Sequence, residues 1–149
     1  MQLTNDQALA LVRQGAEALQ QGRAGEARRH LETVTRTGRA NSQIWLLLAT
    51  ACRAEDDAAG EEAAVDGLLA LEPKAVRGNI MKGDCRTRAG DDRGALSFYE
   101  VALTLAADQQ IPDSLAPDLH RATAASARWR SGARLTGICW SAASVSATS

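Results

Sequence analysis

Sliding the chain against itself by 34 residues aligns several columns at once, without gaps, over three copies. A small residue recurs at Gly15, Ala49 and Gly83, and a turn residue at Gly22, Asp56 and Gly90. Apolar columns follow at Leu31, Val65 and Tyr99, and at Val34, Leu68 and Ala102. A period of this length marks one supersecondary unit that buries its apolar face only by stacking on its own copies.

The unit is helical. Leu11, Gly15, Ala18 and Leu19 recur at spacings of three and four, and Ala27, Leu31 and Val34 do the same after the Gly22 turn. Of the 45% hydrophobic residues, 30 are Ala and 17 are Leu, whereas Val and Ile together make only ten and aromatics five. Ala and Leu favour helices, and strands draw on β-branched and aromatic residues, so a β-sandwich or barrel is excluded. No run approaches the roughly 20 apolar residues of a membrane span. Seventeen basic residues face 18 acidic ones, net −1, which gives no pull toward a phosphate backbone and argues against nucleic acid as a partner.

Start signals agree with helix pairs. Thr4 with Gln7 makes a capping box, Asn41-Ser42 can cap the helix carrying Trp45, and Asp91-Asp92 the helix carrying Ala95 and Tyr99. Repeats are expected over about 6–40, 41–74 and 75–107. A further helix at about 115–130 carries Leu115, Leu119, Ala122 and Trp129 on one face and suits the role of a terminal cap. Residues 1–130 thus read as one helical domain. From Ser131 the pattern stops: 13 of the last 19 residues are Ser, Ala, Thr or Gly. That segment, 131–149, reads as a low-complexity, flexible tail or as an end outside the native frame.

The small column has a physical cause, because paired helices approach closely only where one carries Gly or Ala. Ala27 and Ala95 meet that need on the second helix of their copies. Glu61 stands at the same place in the middle copy and is a misfit, unless Ala63 and Ala64 take the contact through a shifted register.

Trp45, Leu48, Ala49 and Pro73 in copy two, with Gly83, Ala95, Tyr99 and Ala102 in copy three, resemble the tetratricopeptide (TPR) repeat. Copy one matches at Gly15 and Ala27, with Leu11 in place of Trp and Arg39 where Pro is usual. The resemblance implies an all-α, right-handed α-solenoid of three helix pairs plus a C-terminal capping helix. It also implies a concave face built from the first helix of each pair. That face would carry Val12, Ala16 and Leu19, then Gln43, Leu46, Thr50 and Arg53, then Arg77, Ile80, Asp84, Thr87 and Arg88. Of these, Thr50, Arg53, Arg77, Ile80, Asp84 and Arg88 are the candidate partner contacts. The positions used by chaperone-binding TPR proteins to hold a terminal carboxylate carry Val12, Ala16, Leu47, Arg77 and Met81 here, so that clamp is largely absent. Arg53, Arg77 and Arg88 leave an electrostatic bias toward an acidic segment; pairing with Asp84, Glu55 or other acids is the competing account.

Over about residues 8–130 the chain also resembles the TPR segment of bacterial aspartyl/asparaginyl β-hydroxylase-like proteins. The residues concerned are Trp45 to Ala54, Gly60 to Ala64, Leu71-Glu72-Pro73, Met81 to Asp84, Gly90 to Asp92 and Ser97 to Tyr99. That family's iron and 2-oxoglutarate chemistry belongs to a β-helical domain with no counterpart in this helical composition, so no catalytic residue is carried over.

Other chemistry is sparse. His30-Leu31-Glu32 with His120 formally matches a two-histidine, one-carboxylate triad, but residues two apart on a helix point to opposite sides. No nucleophile triad, P-loop or dinucleotide fingerprint occurs, and the Gly-rich stretches fall on the repeat turns. Cys52, Cys85 and Cys139 are an odd, dispersed set that suits thiols in a reducing compartment. The N-terminus has no basic-then-apolar leader, which points to the cytoplasm. The expectation is a non-catalytic, cofactor-free scaffold that binds a protein or peptide and is monomeric or weakly dimeric. The alternatives are a detached hydroxylase segment, or a homo-oligomerisation module in which an exposed groove or Trp129 packs against a second copy.

Overall fold

The computed structural model describes residues 2–132, and the expected tail beyond Gly132 lies outside the described residues. The described residues form seven α-helices and no strand: α1 Asn5–Gln20, α2 Ala24–Thr35, α3 Ser42–Ala54, α4 Ala58–Leu71, α5 Val76–Arg88, α6 Asp92–Asp108 and α7 Ala116–Arg130. A short 3-10 turn, Asp113–Leu115, precedes α7. The chain divides between Pro73 and Lys74 into two compact units.

The three turns inside the helix pairs are built alike. Gly22, Asp56 and Gly90 all adopt positive φ, at 75°, 60° and 82°. The next residue's N–H then reaches back to the helix just ended: Arg23 to the Ala18 carbonyl, Asp57 to Cys52 and Asp91 to Arg86, at 2.8–2.9 Å. This left-handed closure satisfies carbonyls that the helix leaves orphaned. Asp57 and Asp91 also start the following helix, accepting the N–H of Gly60 at 3.0 Å and of Gly94 at 2.9 Å. Arg23 occupies that place in copy one and makes no side-chain cap. Thr4 and Gln7 form the full capping box of α1, and Asn41 accepts from the Ile44 N–H at the start of α3.

In the first unit α1 packs on α2, α2 on α3 and α3 on α4. Gly15 admits Leu31: a Cβ built there would lie 2.9 Å from Leu31 Cγ. Ala18, Ala27 and Ala51 form a small-residue cluster with Leu19 against it. In the second unit, Val76 and Ile80 of α5 join Ala95, Tyr99 and Ala102 of α6 and Ala122 and Ala125 of α7 in one core. There Gly83 admits the Tyr99 ring, and a Cβ would sit 2.5 Å from Tyr99 Cε1.

Glu61 does not escape its column by a register shift. It is fully buried, as Ala27 and Ala95 are, while Ala63 stays exposed. Its carboxylate is matched by Arg53 of α3, whose Nε and Nη2 both donate to Oε1, at 2.8 and 2.7 Å. A charged residue tolerated in a helix crossing is here a paired one.

Candidate ligand-facing surfaces

Each unit carries part of the residue set expected to face a ligand. In the first unit, α1 and α3 touch, and Val12, Ala16, Leu19 and Leu46 remain partly exposed while Gln43, Thr50 and Arg53 are exposed. The Thr50 hydroxyl donates to the Leu46 carbonyl of its own helix at 2.9 Å, leaving its oxygen to accept. For Arg53 the pairing account is the one seen: two of its N–H groups serve Glu61. The cause lies in the core: a buried carboxylate calls for a cation, and this guanidinium supplies one.

In the second unit the outcome is divided. Arg77 is half-exposed, with Asp118 of α7 at 4.0 Å. Arg88 is exposed, its Nη2 3.7 Å from the Cys85 sulfur. Ile80 and Asp84 face inward rather than outward, at 1% and 3% exposure. Ile80 belongs to the α5–α6–α7 core. Asp84 accepts from the Tyr99 hydroxyl at 2.7 Å and from Arg121 Nη2 of α7 at 2.8 Å. Thr87, also buried, lies 3.2 Å from the Tyr99 hydroxyl. Burial, reinforced by the Asp84 charge, pushes the Tyr99 phenol well above its usual pKa. Burial alone would depress the Arg121 guanidinium, but Asp84 and then Asp118 outweigh it and hold the pKa above the ordinary value.

The repeat positions keep structural roles. Ala27, Ala49, Ala95 and Tyr99 are fully buried, and Pro73 follows the end of α4. Trp45 is half-buried with its ring over Gly67, where a Cβ would come within 2.7 Å. That pairing went unread in the sequence, although Gly67 is the one glycine inside α4's apolar stretch. Arg39, at the usual Pro position, donates to Asn5 Oδ1. With Arg36, Thr33, Thr37, Gln2 and Leu3 it lines a surface pocket of about 390 Å³.

A second ionic cluster was also missed. Arg28 of α2 meets Glu32 at 2.7 Å, Asp57 at 2.7 Å and Glu55 at 3.3 Å. It thereby ties α2 to the turn between α3 and α4. Hydrogen bonds to Glu32 and Glu55 raise its pKa. Nearby, burial pushes the Cys52 thiol up to about 11, so it stays protonated at neutral pH. His30 lies 3.7 Å from Glu26 on its own helix. No group of three potential metal ligands gathers among the described residues, and no helix of them is long and apolar enough to cross a membrane.

No family model matches the sequence, and no curated protein does. Solved structures do match. PcrH of Pseudomonas aeruginosa, in complex with the chaperone binding region of PopB, superposes with a TM-score of 0.72 at 19% identity, over 84% of this chain and 99% of that one. The Yersinia enterocolitica type III secretion chaperone SycD, in complex with a peptide of the translocator YopD, gives 0.76 at 15% identity, over 87% and 96%. The first TPR of Spaghetti (RPAP3), bound to an HSP90 peptide, gives 0.67 at 20% identity, over 85% and 98%. At these identities the likeness is one of fold. The chain is an all-α helical repeat of the TPR kind.

Proposed function

We propose that this protein is a non-catalytic scaffold within residues 1–130, and that it holds a peptide segment of a protein partner on the solvent-facing sides of α1 and α3. The carrying observation is the partly exposed apolar and neutral polar stretch of Val12, Ala16, Leu46 and Thr50 in the first unit, in a fold whose matched structures include three with bound peptides or chaperone-binding segments. Arg53, engaged by Glu61, is not counted among the groups that would select an acidic ligand on this face. None of the three matched structures described above is a hydroxylase, so the reading as a detached hydroxylase segment gains no support from them. Trp129, suggested as a dimer contact, packs half-buried on the core of its own unit, which favours a monomer.

The test begins with peptides selected from a displayed library on the immobilised full chain, their Kd then measured by calorimetry. Thr50→Trp adds bulk at an exposed position and is expected to weaken binding at least tenfold with the helical circular dichroism unchanged. Equal affinity for the variant would remove α3 from the binding surface.

A further inference from the structure

Of the five α5 side chains that the TPR resemblance turns toward a ligand, three are engaged by α7. Asp118 lies 4.0 Å from Arg77, Arg121 bonds Asp84 at 2.8 Å, and Ala122 and Ala125 pack in the cluster that holds Ile80. The apolar part of this docking is thin. The fully buried contributions of α7 are two alanines, and Leu119 and Trp129 are only half-buried. Ser126 brings a buried hydroxyl that has no hydrogen-bond partner among the described residues, a group that opposes the docked state and is relieved by opening. The polar part is strong by contrast. Asp84 and Arg121 keep only 5% and 15% of their side chains exposed, and Asp84 is further fixed by the Tyr99 hydroxyl. Arg121 is also steadied by Asp118 at 2.9 Å. The connection to α6, Gln109 to Pro112, is non-helical, with Ile111 alone of the four packed on the core and the other three exposed, so α7 can move without breaking a helix.

We propose that α7 is a separable cap, held on the α5–α6 pair by the Arg121–Asp84 latch, which opens as a unit and uncovers Arg77, Ile80 and Asp84. A helix that docks through few apolar contacts and one buried ion pair has its opening equilibrium set by that pair, because either charge left alone in the docked state is uncompensated. That the uncovered side chains then meet a ligand rests on the proposed function; the latch itself does not.

The experiment is hydrogen–deuterium exchange of the full-length protein, resolved by peptide. Arg121→Gln should raise exchange across α7 about 100-fold while α5 and α6 keep their protection. Arg121→Lys, which retains the charge, should restore most of it, and should still report if the Gln variant fails to fold. Arg128→Gln, exposed on the same helix, should leave α7 as in the wild type. Unchanged α7 exchange in both Arg121 variants would overturn the latch. A rise shared equally by α5, α6 and α7 would overturn the separable cap. Because no ligand is used, failure here leaves the peptide-binding reading standing, and failure of peptide selection leaves the latch standing.

Discussion

Gly83 and Glu61 belong to the two small-residue columns of the repeat and illustrate two ways a helix crossing is filled. At Gly83 the partner is a ring that cannot yield: Tyr99 is fully buried and its hydroxyl is fixed to Asp84. Gly83→Ala therefore loses more to displacing that ring than it gains in helix propensity, and is expected to destabilise by about 1–3 kcal/mol in urea titration. At Glu61 the crossing is filled by charge. Arg53→Ala should remove the guanidinium that meets the buried carboxylate and lower stability by about 3 kcal/mol. Glu61→Ala should be far milder, since Arg53 is 40% exposed and can turn to water. The double variant should recover most of the loss. A double variant as unstable as Arg53→Ala alone would mean that the arginine stabilises through something other than Glu61. The misfit at Glu61 was legible in the sequence; its remedy was not. Eight residues and a reversal of chain direction separate it from Arg53, and the repeat offers Leu19 and Thr87 at the equivalent of Arg53.

Turns and helix ends were the most legible elements. The column Gly22, Asp56, Gly90 returns as three left-handed residues closing the same hydrogen-bond pattern. Asp57, unlike Asp91, went unread as a cap because Glu55 and Asp56 directly before it made the choice ambiguous. It carries a testable pH signature. The Gly60 backbone N–H, together with the Arg28 guanidinium, holds its carboxyl below the usual 3.8. The folded state thus binds that proton less readily than the unfolded chain, so the contribution is present above pH 3.8 and is lost as the pH falls through the lower folded value. Asp57→Asn keeps a competent cap but removes the charge. Its melting temperature should fall less steeply than the wild type's below pH 3.8, and superimposable curves would show the charge to be irrelevant.

At the scale of the chain, the period carried the fold and was nearly silent on the site. Side chains placed on the ligand face by analogy, such as Ile80 and Asp84, are buried beneath α7. Arg121, which engages Asp84, comes 37 residues later and outside any repeat, where periodicity has nothing to say. Three pairs on that face are compensated within their own unit: Arg53 with Glu61, Asp84 with Arg121, and Arg77 near Asp118. With a net charge of −1 over the whole chain, long-range attraction for an acidic peptide is weak. The peptide titration described above, repeated at higher salt, should therefore lose little affinity for wild type. A steep salt dependence would return recognition to the arginines.

The Arg53–Glu61 pair also bears on the chain's modular history. Repeats that match by shape alone can be duplicated, deleted or exchanged, since any second helix fits any first. This chain has given up that freedom at its centre. Grafted behind α1, the α4 sequence would set Glu61 against Leu19; grafted behind α5, against Thr87. Neither offers a cation, so shuffling would bury the carboxylate without the guanidinium that meets it here. The middle module can be inherited only with its own partner, and the two helices now drift as one.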